Sequence, residues 1–293
     1  MQHPEEPSFV VVLGIAQDAG FPQTGCRKEC CASTRYDSAE ARYPCCLAVV
    51  DLAGKQRWLF DCTPFFPQQL RMLDELAPAV ESPGLAGIFL THAHIGHYSG
   101  LMHLGREVMD VDRMPVHVMP RMSQFLQRNG PWSQLVDLRN IELSPLEADK
   151  PVRLTESLQV TPILVPHRGE FSETVAFRID GPNRSVLYLP DIDRWEDWHI
   201  RIEDSLTTVD RAYLDGTFYS EAELPGRDFS TIPHPLITDS IDRFHSLSAE
   251  DRGKVHFFHL NHTNPALHKT SEASHTIEQA GHHVAGQGER YLL

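Results

Sequence analysis

The chain has 293 residues, 41% of them hydrophobic and 9% aromatic, which suffices for a substantial core within one α/β domain spanning residues 1–293. Against 26 basic residues stand 40 acidic ones, a formal charge of −14, which argues against broad electrostatic binding to nucleic acid. A small anionic substrate is not excluded, because a bound metal sets the field in its own pocket. No run approaches the roughly 20 apolar residues that span a bilayer. Met1 to Ser8 has neither a basic nor an apolar leader region. The chain thus reads as cytoplasmic, or as exported if a leader has been removed, with a small-molecule partner, no membrane partner and no oligomeric state assigned.

Phe9 to Leu13 is a β-branched run and reads as the first strand, followed by a long glycine-containing loop with the first cysteines. Cys46 to Asp51 and Trp58 to Phe60 read as a hairpin turning at Ala53-Gly54. Gln68 to Leu76 has Leu70, Leu73 and Leu76 at helical spacing. Gly87 to Leu90 reads as a buried strand, Leu101 to Val108 as a helix, Val116 to Val118 as a strand and Met122 to Gln127 as a helix. Strands are expected at Leu158 to Val165, Thr174 to Ile179, Ser185 to Leu189 and Arg211 to Leu214. A helix over Leu236 to Leu247, a strand over Lys254 to Leu260, a helix over Ser271 to Ala280 and a strand over Tyr291 to Leu293 complete the chain. This order suits two sheets packed face to face with helices outside.

The sharpest segment is Phe89-Leu90-Thr91-His92-Ala93-His94-Ile95-Gly96-His97. Three histidines at i, i+2 and i+5 directly after an apolar strand can be aimed at one point by a tight turn. Neutral imidazole suits zinc, and with oxygen ligands iron or manganese. Of the 17 histidines, His117, His199, His245, His256, His268, His275, His282 and His283 lack such context and read as surface or core residues. His103 reads as a neighbour of the site without ligating, and Asp193 as a turn carboxylate.

The segment resembles the T-H-x-H-x-D-H signature of the metallo-β-lactamase superfamily. That resemblance implies an αββα sandwich of two packed mixed β-sheets with helices on the outer faces. It also implies further ligands at later strand ends, which Val165-Pro166-His167, Tyr188-Leu189-Pro190-Asp191 and Phe257-Phe258-His259 supply in order. His92, His94, His167 and Asp191 then form a complete first metal site, with His97, His259 and a shared Asp191 left for a second. The chain departs from the signature at Gly96, where the family has an aspartate that helps hold the second metal and orient the nucleophile. Gly96 therefore counts against a second active-site metal.

The segment from Gly14 to Cys26 (GIAQDAGFPQTGC), with Asp215-Gly216-Thr217 and Asn264-Pro265, resembles a narrower branch. It includes the pyrroloquinoline-quinone biosynthesis protein B and the cyclic-phosphate phosphodiesterase of phosphonate breakdown. In that branch, cysteines of the first loop and a histidine three residues after the last active-site histidine bind a structural zinc. Here the resemblance implies Cys26, Cys30, Cys31 and His262, although the spacing departs from C-x-C-x-x-C, Lys28 takes the middle place, and either Cys30 or Cys31 can be the spare. A site closed by four ligands is structural rather than catalytic. Buried thiols without a metal are the plainer reading, and it is the one adopted for Cys45, Cys46 and Cys62. His234 resembles the general acid of related phosphodiesterases, with a helix-start histidine as the competing reading.

The expected activity is that of a metal-dependent hydrolase using a metal-bound hydroxide on a phosphodiester or ester of a small molecule. His92, His94 and His167 hold the metal, Asp191 ligates it and receives the proton of the water, and His234 protonates the departing oxygen. Zn2+ is the expected ion, and Fe2+ or Mn2+ also suit the ligands. The competing expectations are an iron-dependent oxygenase and a non-enzymatic accessory protein related to quinone-cofactor biosynthesis.

Overall fold

The computed structural model describes residues 8–35, 38–79, 84–228 and 232–293. The leader reading of Met1 to Ser8 thus lies almost wholly outside the described residues. Two seven-stranded sheets face each other. The first runs in the order β14-β1-β2-β3-β4-β5-β6, where β1 is Ser8–Gly14, β2 Cys46–Asp51, β3 Gln56–Phe60, β4 Gly87–Phe89, β5 Met114–Val118, β6 Ile141–Pro145 and β14 Arg290–Leu292. The second runs β13-β12-β11-β10-β9-β8-β7, with β7 Val152–Arg153, β8 Gln159–Leu164, β9 Val175–Asp180, β10 Ser185–Leu189, β11 Arg211–Asp215, β12 Val255–Phe258 and β13 His283–Val284. Each sheet changes from antiparallel to parallel pairing part way across, at β3 in one and β10 in the other.

Period-two alternation decides which residues fill which layer. Val10 and Val12 of β1, Leu47 and Val49 of β2, and Trp58 and Phe60 of β3 point between the sheets, where they meet Phe177, Tyr188 and Phe258. Their neighbours Phe9, Val11, Leu13, Ala48, Val50 and Leu59 point outward against Phe66 and Leu73 of helix α1, Phe66–Leu76. Fully burying such a side chain contributes about 1.5–3 kcal/mol, so a strand with two apolar faces belongs in the middle of a sandwich. Among the helices, α6 (Ile237–Phe244) and α8 (Glu272–Gln279) contribute Ile237, Phe244, Ala273 and Ile277 to the core of the second sheet. The expected αββα layering is what the chain adopts, and no helix among the described residues is long and apolar enough to cross a membrane.

One expected element is replaced. Leu101 to Val108 is not an α-helix: a single α-turn, α2 (Ile95–Tyr98), passes into a 3₁₀ stretch over Ser99–Leu104. The chain then turns at Gly105, whose carbonyl accepts from the amides of Val108, Met109 and Asp110. The tight winding is enforced at Gly100, where a Cβ would stand 2.9 Å from the Cys62 carbonyl oxygen. The remaining helices are α3 (Pro120–Arg128), α4 (Trp132–Asp137), α5 (Ile202–Thr207) and α7 (Ala249–Gly253). Of these α4, α5 and α7, like β6, β7 and β13, are short elements without enough periodic apolar residues to be read from the sequence.

Candidate metal centre

The chemistry-bearing side chains leave the sandwich where its strands end. Asp61 follows β3, Thr91 to His97 follow β4, and His167 follows β8. Asp191 follows β10, Asp215 ends β11 and His259 follows β12. Strand ends are rigidly held by both sheets, so loops of different sequence origin converge with little freedom. Asp61 and His259 both take a left-handed backbone, φ 68° and 61°. Such strain is uncommon for residues other than glycine and clusters at functional sites.

All the predicted ligands come together. The ligand atoms of His92, His94 and His167 lie within 4.8 Å of one another, as do those of His92, His97 and Asp191, and those of Asp191, His234 and His259. Asp191 is thus common to both halves: its Oδ2 lies 3.3 Å from His97 Nε2 and 3.6 Å from His259 Nε2, and its Oδ1 lies 3.8 Å from His167 Nε2.

Two buried acids fix the imidazoles. The Thr91 hydroxyl donates to Asp61 Oδ1 at 2.9 Å, so its oxygen must accept the Nδ1–H of His92, also at 2.9 Å. This leaves the lone pair of His92 on Nε2. The same device recurs across the site: Thr217 Oγ1 donates to Asp215 Oδ1 at 2.7 Å and accepts from His259 Nδ1 at 2.9 Å. Each acid also holds a second histidine directly, Asp61 Oδ2 taking His97 Nδ1 at 2.8 Å and Asp215 Oδ2 taking His234 Nδ1 at 2.7 Å. His167 Nδ1 faces the turn carboxylate Asp193, 2.9 Å from its Oδ1, although neither atom is in hydrogen-bonding geometry. His94 is turned the other way, with Nδ1 3.3 Å from His167 Nε2 and Nε2 toward Glu170 at 3.5 Å. Partners of this kind set tautomer and ring direction at metal sites.

The inward-facing atoms test whether a cation fits. His92 Nε2, His259 Nε2 and Asp191 Oδ2 are buried and have no hydrogen-bond partner among the described residues. Buried polar atoms are rarely left so, because each costs about 1–3 kcal/mol unpaired. Lone pairs of neutral imidazoles and a carboxylate, aimed at common points, are a donor set for a divalent transition metal. Burial and then the charge of His97 push His92 well below its usual pKa, favouring the neutral form. Burial opposes the charge of Asp191, yet His259, His97, His92 and His167 hold its carboxyl far below the usual range. For His97 burial is outweighed by Asp61 and Asp191, which raise it well above the ordinary value. His234 is likewise raised, Asp215 outweighing burial.

A second cluster lies on the first loop. Cys30 Sγ and Cys31 Sγ stand 3.5 and 3.4 Å from His262 Nδ1, and Cys26 Sγ is 3.9 Å from Cys30 Sγ. All four ligand atoms lie within 4.8 Å of one another, so both members of the adjacent cysteine pair reach the same point. No disulfide joins any of the six cysteines. Burial and the neighbouring thiols push Cys31 up to about 12, the mutual repulsion that a bound cation would reverse. Cys45, Cys46 and Cys62 are buried core residues, as expected.

Asp18, Asp61, Asp193 and the Asp215–Thr217 pair stand at the centre without having been read from the sequence as site residues. Asp61 carried a usable signal, an acid immediately after an apolar strand, as at Asp191. Asp18 lies inside the Gly14–Cys26 segment that carries the narrower resemblance, but its partners are distant in sequence and nothing local marks its carboxylate.

The fold and this histidine–aspartate centre define a metallo-β-lactamase-type protein. The family model described as a beta-lactamase superfamily domain matches residues 56–257, and the chain belongs to that superfamily. Over its full length it is similar to coenzyme PQQ synthesis protein B of Xanthomonas axonopodis pv. citri (strain 306), with 26% identity over 308 residues, covering 97% of this chain and 99% of the relative. Among solved structures it is similar to Zn(2+)-bound PqqB from Methylobacterium extorquens, with a TM-score of 0.81 and 20% identity over 97% of this chain and 100% of that one. It is also similar to a diphosphatase from the PhnP family, with a TM-score of 0.69 and 21% identity over 98% and 97%.

Proposed function

We propose that the chain is a metal-dependent hydrolase acting on a phosphodiester or ester of a small molecule. The observation that carries the reading is the convergence of unpartnered His92 Nε2, His259 Nε2 and Asp191 Oδ2 within one buried centre. A divalent ion held there supplies Lewis acidity and lowers the pKa of water to about 7. His92, His94 and His167 hold it through nitrogens whose opposite edges are turned to Thr91, Glu170 and Asp193. Asp191, ionised and shared between the two halves, is placed to take a proton from the attacking water. His234, oriented at Nδ1 by Asp215, is placed to give a proton to the leaving oxygen. Its position within reach of Asp191 and His259 favours the catalytic reading over that of a helix-start residue. Arg168, next to His167, acts on both His94 and His234, opposing a charge on each although Asp215 still raises His234, and a cation so near the centre favours an anionic, phosphodiester substrate.

The test is hydrolysis of a chromogenic phosphodiester and a chromogenic carboxylic ester by protein loaded with Zn2+, Mn2+ or Fe2+. Metal-dependent diester cleavage that disappears in His92→Ala and His167→Ala is expected. Fully loaded protein inert toward both substrates would refute the reading. The full-length likeness to coenzyme PQQ synthesis protein B favours a second reading, an iron-dependent oxygenase or accessory protein of quinone-cofactor synthesis. Oxygen uptake by the Fe2+-loaded, hydrolytically inert protein separates the two.

A further inference from the structure

Asp18 lies in the turn after β1, and backbone pairing fixes that turn beside His259. Leu260 N donates to Ile15 O at 2.8 Å and Gln17 N donates to Leu260 O at 2.8 Å. Gly20, at φ 74°, closes the turn by donating to Gln17 O at 2.8 Å. The side chain points into the centre: Asp18 Oδ1 is 3.3 Å from His97 Nε2 and 3.9 Å from His259 Nε2. That oxygen is buried and, like Asp191 Oδ2 and His259 Nε2 around it, has no hydrogen-bond partner among the described residues. Burial opposes its ionisation, but His259 and His97 hold the carboxyl well below the usual range.

The same residue explains Gly96. Residue 96 sits in the α2 turn, outside the left-handed region, so its backbone does not call for glycine. A Cβ there would stand 2.6 Å from Asp18 Cα and 2.7 Å from Asp18 Cβ. The turn at Asp18, its backbone included, therefore occupies the volume that a side chain at position 96 would need.

We propose that Asp18 supplies, from the first loop, the carboxylate that the family signature takes from position 96, and so completes a second divalent-cation position with His97 Nε2, His259 Nε2 and the shared Asp191 Oδ2. The inference rests on reading the centre as that of a metallohydrolase, but its test does not need turnover. His97 Nδ1 is committed to Asp61, which leaves Nε2 as the only edge facing Asp18 and Asp191. A protonated His97 would pair with these acids yet leave His259 Nε2 unpartnered. A divalent cation engages all four atoms and offsets both carboxylates.

Mn2+ is a suitable probe, because a hard ion favours the nitrogen–oxygen centre over the cysteine cluster. Metal-stripped protein is titrated with Mn2+ and followed by electron paramagnetic resonance, alongside Asp18→Ala, Asp18→Asn and Gly96→Asp. The unmodified chain should bind two ions as a spin-coupled pair. Both Asp18 variants should lose the coupled signal and bind the second ion at least about tenfold more weakly. Gly96→Asp should melt lower and lose the pair, because its Cβ meets the Asp18 backbone as well as the side chain. Binding of one ion by the unmodified chain overturns the proposal, as does an undiminished pair in Asp18→Asn, the variant that keeps the shape of the side chain. An inert substrate panel beside a pair that depends on Asp18 refutes the hydrolase reading and leaves this one standing.

Discussion

Asp61 Oδ2 lies 2.8 Å from His97 Nδ1, while its Oδ1 receives the Thr91 amide and hydroxyl, so one buried acid orients both ends of the histidine motif. Tyr188 donates to the same carboxylate at 2.9 Å. Asp61→Asn keeps one acceptor oxygen but places an amide donor against the others. It should cost about 2–4 kcal/mol of stability, the range for breaking a buried polar network. Metal affinity should fall about 10–100-fold. Tyr188→Phe removes one donor of four and should cost only about 1 kcal/mol. Denaturant titration and metal analysis check both, and equal effects of the two variants would contradict this ranking.

His234 is held by Asp215 and faces the centre without belonging to the three-histidine set. His234→Asn should leave bound metal unchanged while slowing diesters with poor leaving groups by about 100-fold or more. Diesters with good leaving groups, which need no proton, should be slowed far less. Loss of metal in this variant would make His234 a ligand instead.

The cysteine cluster gives a stability prediction. Cys26→Ser or His262→Ala should release one zinc per chain and lower the melting temperature, because binding energy at such a site is folding energy. For domains approaching this size each kcal/mol lost is worth about 2–4 °C. Unchanged zinc and melting would leave the cluster as ordinary thiols.

His117 predicts a pH dependence. It stacks on Phe89 with ring centroids 4.2 Å apart, and burial pushes its imidazole down to about 4 from an ordinary 6.5. As pH falls, the unfolded chain takes up this proton first, so the stability contribution is full above pH 6.5 and is lost as pH approaches about 4. His117→Leu should shrink the difference in urea midpoint between pH 7.5 and pH 5. An identical drop in both proteins would acquit this residue.

The ligand order was readable because each ligand follows an apolar strand, a local signal that survives without the fold. His92, His94, His97, His167, Asp191 and His259 all obey it. So does Asp61, whose role nevertheless depends on Thr91 and Tyr188, partners 30 and 127 residues away. Asp18 shows the limit of local reading. From the sequence, Gly96 is a lost ligand; in the fold, it is the space that a residue 78 positions earlier fills (96 − 18). The short strands β7 and β13, two residues each, exist only because neighbours supply hydrogen bonds, so no periodicity announces them.

The backbone pairing of Ile15 and Gln17 with Leu260 has a consequence for regulation. The loop that carries Asp18 continues to Cys26, Cys30 and Cys31, and the segment that carries His259 continues to His262. The thiol cluster is therefore a clasp across the same two chain segments that present Asp18 and His259 to the histidine centre. If an ion closes the clasp, its occupancy and that of the histidine centre are expected to shift each other by the same factor. Oxidation of Cys26, Cys30 or Cys31 would then be expected to weaken metal binding at a centre none of these three thiols enters.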